Sequence, residues 1–130
     1  MSLWSIDRVS DTLDEIAEGF PLPLFDGLNG GVNLLEEAVE DPAFPPGEMY
    51  ILGEYCEGLL GRYINLYYGS FAALAEKESW EAEDWHRELR TTLAHELTHH
   101  MESRSGLHAL DDRDAAELEE FCREYGIEQQ

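Results

Sequence analysis

The sequence predicts a small α+β fold, a single domain over residues 1–130, and three observations carry that expectation. Apolar residues recur at helical spacing near the N-terminus and again from Ser79 onward. Between them, Arg62 to Tyr68 is a run of aromatic and branched residues bounded by glycines, as a strand requires. Gly- and Pro-rich turns separate these segments without a linker long enough to divide domains, and 130 residues suffice to bury a modest core without disulfides.

Residues 5–18 place Ile6, Val9, Leu13, Ile16 and Ala17 on one side of an amphipathic N-terminal helix, which Gly19, Pro21 and Pro23 end. After the turn-rich Asp26-Gly27-Leu28-Asn29-Gly30-Gly31, Val32 to Leu35 is short and apolar enough for a strand, and Pro42, Pro45, Pro46 and Gly47 impose a loop. Met49 to Glu54 reads as a second strand and Arg62 to Tyr68 as a third beside it, giving a three-stranded mixed sheet. From Ser79 to about Ser105 the pattern is helical, with Trp85, Leu89, Leu93, Leu97 and Met101 every fourth residue facing the core. Gly106 is expected to end this helix, and a C-terminal helix over about 112–125 presents Ala115, Leu118, Phe121, Cys122 and Tyr125.

Charge narrows the partners. Eight Lys and Arg against 29 Asp and Glu leave a net −21, which repels phosphate backbones and anionic membranes, so neither nucleic acid nor membrane is expected. Spread over the chain, this charge is foremost a solvated exterior, and it also favours a cation or a basic peptide. Cys56 and Cys122 form no CxxC pair and read as buried thiols. The N-terminus has no basic segment followed by an apolar run, and no stretch approaches the roughly 18 apolar residues of a membrane span, so a soluble cytoplasmic protein is expected.

The chemistry concentrates in His95-Glu96-Leu97-Thr98-His99. Residues four apart on a helix project from the same side, so the imidazoles of His95 and His99 converge on one ion while Glu96 points beside it. Imidazole nitrogen favours zinc, and a catalytic zinc site has three protein ligands with one position left open. Glu96 is then the expected general base for hydrolysis of a peptide bond, and a third ligand must come from elsewhere. The bland alternative is a helix with two surface histidines in an acid-rich chain.

The segment Thr91 to Ser103 resembles the active-site helix of the zincin-like metallopeptidase family of small bacterial proteins, which have a minimal matrix-metalloproteinase-like fold. Gly30-Gly31-Val32-Asn33-Leu34 and Gly61 to Phe71 support the resemblance. It implies a zincin-like domain in which an edge strand, here the 62–69 segment, walls the metal and pairs with an extended peptide. Short members of that family carry HExxHxxGxxD, but the residue six positions after His99 is Ser105. Placing the family glycine on Gly106 lengthens the helix by about 6 Å, and the returning chain then brings Asp111 to the metal as third ligand. Asp114 is the alternate, His108 suits zinc chemically, and Glu119 has the spacing of another zincin class.

The remaining polar residues have quieter readings. His100 falls near the apolar stripe as a hydrogen-bonded core histidine, Glu102 is either an acceptor for a ligating imidazole or a solvated acid, and His86 and Arg87 lie on the exposed side. Tyr63, Tyr67 and Tyr68 either pack across strands or line a groove. Two functions are therefore expected to compete: a zinc metallopeptidase of narrow specificity or low activity, and a metal-binding module that captures a peptide without cutting it.

Overall fold

The computed structural model describes residues 3–59 and 61–107, with the backbone alone at 105–107. Among the described residues it is a small α+β fold with three α-helices and a mixed three-stranded sheet. Helix α1 (Ile6–Glu18) begins where the Ser5 hydroxyl accepts from the Arg8 N–H at 3.2 Å, and it buries Val9, Leu13 and Ile16 as the spacing requires. A 3₁₀ turn over Leu22–Phe25 leads to β1 (Val32–Leu35). Strands β2 (Val39–Glu40) and β3 (Tyr50–Ile51) pair antiparallel as a separate ribbon. Then come β4 (Gly53–Gly58), β5 (Gly61–Tyr67), α2 (Tyr68–Glu78) and α3 (Ala82–Leu107).

The sheet order is β1-β5-β4, with β1 parallel and β4 antiparallel to β5. Side chains alternate along β5, so Ile64 and Leu66 are buried on the face that meets the helices while Tyr63, Asn65 and Tyr67 point to the other. Helix α3 closes the core with Trp85, Leu89, Leu93, Leu97 and Met101, all buried and each one turn from the next. At the far end, Trp85 stacks on Trp4 with centroids 5.4 Å apart and meets Trp80 edge-on at 5.2 Å. No helix among the described residues is long and apolar enough to cross a membrane.

Four expectations change. The single strand expected over 49–54 is two: Tyr50 and Ile51 pair with β2, and from Gly53 the chain pairs with β5. Gly53 permits the switch, because a Cβ there would lie 2.7 Å from Leu66 Cδ2 and 3.0 Å from Thr92 Cγ2, so only a bare backbone fits between sheet and helix. The 62–69 segment is not the edge wall; β5 lies between β1 and β4, and β4 is the edge beside α3. Tyr68, expected as the end of a strand, instead begins α2, docked where Gly69 N–H donates to Glu37 C=O at 3.1 Å and the Ser70 hydroxyl accepts from Val39 N–H at 2.8 Å. Helix α3 also continues through Gly106 to Leu107. The C-terminal helix expected over 112–125, with Cys122, lies outside the described residues.

Candidate functional site

Because α3 is held by its apolar stripe, the residues beside that stripe have fixed positions. His95 and His99 lie one turn apart with Nε2 atoms 3.1 Å from one another and ring planes 84° apart. Two ring nitrogens brought this close share either a proton or an ion. Tetrahedral zinc with bonds of about 2.0–2.1 Å sets two nitrogens roughly 3.3 Å apart, a separation close to the 3.1 Å here. Burial first, and the neighbouring His99 second, hold the His95 imidazole below its ordinary pKa, against the pull of Glu102, so it keeps the neutral form that ligates. His99 Nδ1 is 3.5 Å from Glu102 Oε1, placing that carboxylate against the imidazole as its sequence position allowed.

Glu96 turns inward beside the pair and is only 6% exposed. Burial, followed by the charge of Glu54, pushes its pKa up to about 7, opposed by a hydrogen bond from the Tyr55 backbone N–H. A carboxyl poised near neutrality exchanges protons in either direction at physiological pH, as a general base that later serves as an acid must.

The facing wall is β4. Tyr67 N–H donates to Leu52 C=O at 2.9 Å, and with Gly53 opposite Leu66 this register directs the backbone groups of Glu54 and Cys56 toward β5. Those of Gly53, Tyr55 and Glu57 therefore point away from the sheet. Among the described residues no further strand pairs with this edge. Between β4 and α3 lies a cleft of about 670 Å³, lined by Gly53, Glu54, Tyr55 and Glu57 on one side and His95, Glu96, His99, Glu102 and Ser103 on the other. That volume is within the range of ligand-binding clefts.

Two hydrogen-bond systems brace the wall. His100 is completely buried; its Nε2 is 2.6 Å from the Asp26 carbonyl, which only accepts, so Nε2 carries the proton and Nδ1 accepts from the Tyr55 hydroxyl at 3.0 Å. Burial holds this imidazole below its ordinary pKa and therefore neutral. It is the bonded core histidine that its position beside the stripe indicated. On the other face of β4 the Tyr67 hydroxyl donates to Glu54 Oε1 at 2.6 Å; burial first, then that bond, push its pKa up to about 12, so it remains a donor.

Of the residues singled out from the sequence, the fold brings His95, Glu96, His99 and Glu102 together in one cleft. Asp111, Asp114, His108 and Glu119, the candidates for a third ligand, lie outside the described residues. Among the described residues no group of three or more His, Cys, Asp or Glu is arranged to hold a metal ion. None of the three tyrosines lines the cleft: Tyr67 holds Glu54, the Tyr68 hydroxyl donates to Trp4 C=O at 2.6 Å, and Tyr63 lies beside Cys56, whose thiol is partly rather than fully buried. The wall residues Glu54, Tyr55 and Glu57 had no functional reading in the sequence; their signal is a short glycine-bounded run, Gly53 to Gly58, that carries two acids and a tyrosine.

No protein-family model and no curated protein matches the chain. Among solved structures, a conserved hypothetical protein from Thermo thermophilus is similar over 78% of this chain and 98% of its own, at 33% identity and a TM-score of 0.67. The resemblance to the zincin-like metallopeptidase family is therefore corrected: no model of that family matches, the similar structure has no such description, and no three-ligand group occurs among the described residues. The specific part of that resemblance is the segment Thr91 to Ser103 of one helix, with Gly30 to Leu34 and Gly61 to Phe71 only supporting it, too little to define a family when the expected third ligand does not follow at the family spacing. At that identity and coverage, the chain belongs to the same family as the conserved hypothetical protein from Thermo thermophilus.

Proposed function

We propose that this chain is a zinc-dependent hydrolase of peptide bonds in which His95 and His99 hold the ion and Glu96 is the general base. The observation that carries the reading is the 3.1 Å convergence of two imidazole nitrogens in a cleft that also contains a buried carboxyl with a pKa of about 7. A purely structural zinc site, closed by four protein ligands, has no use for such a carboxyl. Bound zinc would supply Lewis-acid polarisation of the peptide carbonyl and lower the pKa of water toward neutrality. Glu96 would take the proton from the attacking water and deliver it to the leaving amine. His95, kept neutral by burial, and His99, with Glu102 at its other nitrogen, would hold the ion. Asp111, with Asp114 as alternate, is the third ligand that the resemblance implied, and both lie outside the described residues.

The edge of β4 supports a peptide as substrate, since the outward backbone groups of Gly53 and Glu57 and the Tyr55 carbonyl match those of an extended chain laid along the cleft, the Tyr55 N–H being held by Glu96. The test is turnover of an unbiased peptide library by the zinc-loaded protein and by Glu96→Gln. Cleavage that this substitution abolishes while zinc stays bound supports the hydrolase. Metal-dependent peptide binding without cleavage assigns the chain instead to a binding module, and failure to bind zinc removes both.

A further inference from the structure

We infer that Glu54 selects a basic side chain in the peptide laid along β4, an inference that rests on reading the cleft as a peptide site. When a strand adds to a sheet edge, each of its side chains lies opposite one on the edge strand, on the same face, and opposite charges there attract. Glu54 occupies such a position on β4 and lines the cleft.

The carboxylate is held in place by neutral groups. The Tyr67 hydroxyl donates to its Oε1 at 2.6 Å, the Asn65 side chain hydrogen-bonds to Tyr67, and Asn33 Nδ2 donates to Asn65 Oδ1 at 3.3 Å. Asn33, Asn65 and Glu54 are in register across the three strands, so the relay runs straight across the sheet to the cleft. Neutral donors orient the carboxylate without cancelling its charge, and one phenolic bond leaves most of its lone pairs open.

The other carboxylates of the cleft are engaged. Glu57 has Arg62 Nε at 3.5 Å, Glu102 has His99 Nδ1 at 3.5 Å, and Glu96 is buried. No ion pair among the described residues involves Glu54. Lysine or arginine opposite it completes the pair that the fold leaves open, whereas an acid there meets repulsion. The net charge of −21 attracts any cationic peptide, so the test must separate this local contact from the general field.

The experiment measures binding to the full chain by fluorescence anisotropy, with chelator and again with equimolar zinc. The probes are a short labelled Val/Thr peptide carrying one central lysine and the same peptide carrying glutamine there. The lysine peptide binds more tightly; Glu54→Gln weakens it about threefold and leaves the glutamine peptide unchanged. Glu15→Gln, which removes the same charge from the exposed side of α1, changes neither. Equal binding of the two peptides, or an equal loss with Glu15→Gln, overturns the role of Glu54 while leaving the peptide site standing. No binding of either peptide in both conditions overturns the peptide site and this inference together.

Discussion

Glu96→Gln offers a test of the site that needs no substrate. In the metal-free protein, burial and Glu54 raise the Glu96 pKa from its ordinary 4.5 to about 7, so the folded state binds this proton more tightly than the unfolded chain does. The sign follows: the stabilisation is fully present below about pH 4.5, fades as pH rises through about 7, and is absent above it. A rise of this size corresponds to about 3 kcal/mol, and with Glu96 only 6% exposed, solvent screening removes little of it. Glutamine keeps the shape and cannot ionise, so Glu96→Gln should exceed wild type in stability at pH 8 by about 3 kcal/mol, and the gap should close toward pH 5. The buried Trp4, Trp80 and Trp85 report unfolding by fluorescence, so urea titrations in chelator at several pH values measure it. Comparing the two proteins at each pH cancels the self-repulsion of the acidic surface and the opposing contribution of His95. Parallel stability curves for wild type and Glu96→Gln across pH 5–8 would refute a carboxyl with a raised pKa in this cleft.

Two further substitutions probe the wall and the support of the imidazoles. His100→Phe leaves the Asp26 carbonyl without its partner and removes the acceptor of the Tyr55 hydroxyl, which keeps its bond with Ser103, and should lower stability by about 1–3 kcal/mol, seen as a fall in Tm; an unchanged Tm would contradict the brace between α3 and β4. Glu102→Ala removes the carboxylate at His99 Nδ1 and should weaken zinc binding about tenfold or more in competition with a chelating dye, and equal affinity would show that Glu102 has no such role.

Much of the framework was legible in the sequence because it follows from periodicity. The four-residue stripe from Trp85 to Met101 predicts both the existence of α3 and its buried face, and the His95 and His99 spacing predicts their shared side. Partner choice was less legible. Tyr50, Ile51 and Leu52 look like one strand with Gly53 and Glu54, yet the chain changes partner at Gly53, where Leu66 and Thr92 crowd the place of a side chain. The edge position of β4 was hidden for a related reason: Glu54 and Glu57 interrupt its apolar pattern, which drew attention to the more hydrophobic β5 that lies inside the sheet. Helix α2 was missed because Gly69 reads as a strand stop, whereas its bare backbone is needed where Glu37 and Ala38 pass within 2.6–2.7 Å of a would-be Cβ. The bracing of Tyr55 by His100, and of Glu54 by Tyr67, joins residues far apart in the chain and has no local signature.

Zinc titration into chelator-washed wild type and His95→Ala/His99→Ala, with circular dichroism confirming that both are folded, tests the paired imidazoles as a metal site most directly. One equivalent of zinc is expected on the wild type and none on the double variant. Equal binding by the two proteins would contradict a site built on these two side chains.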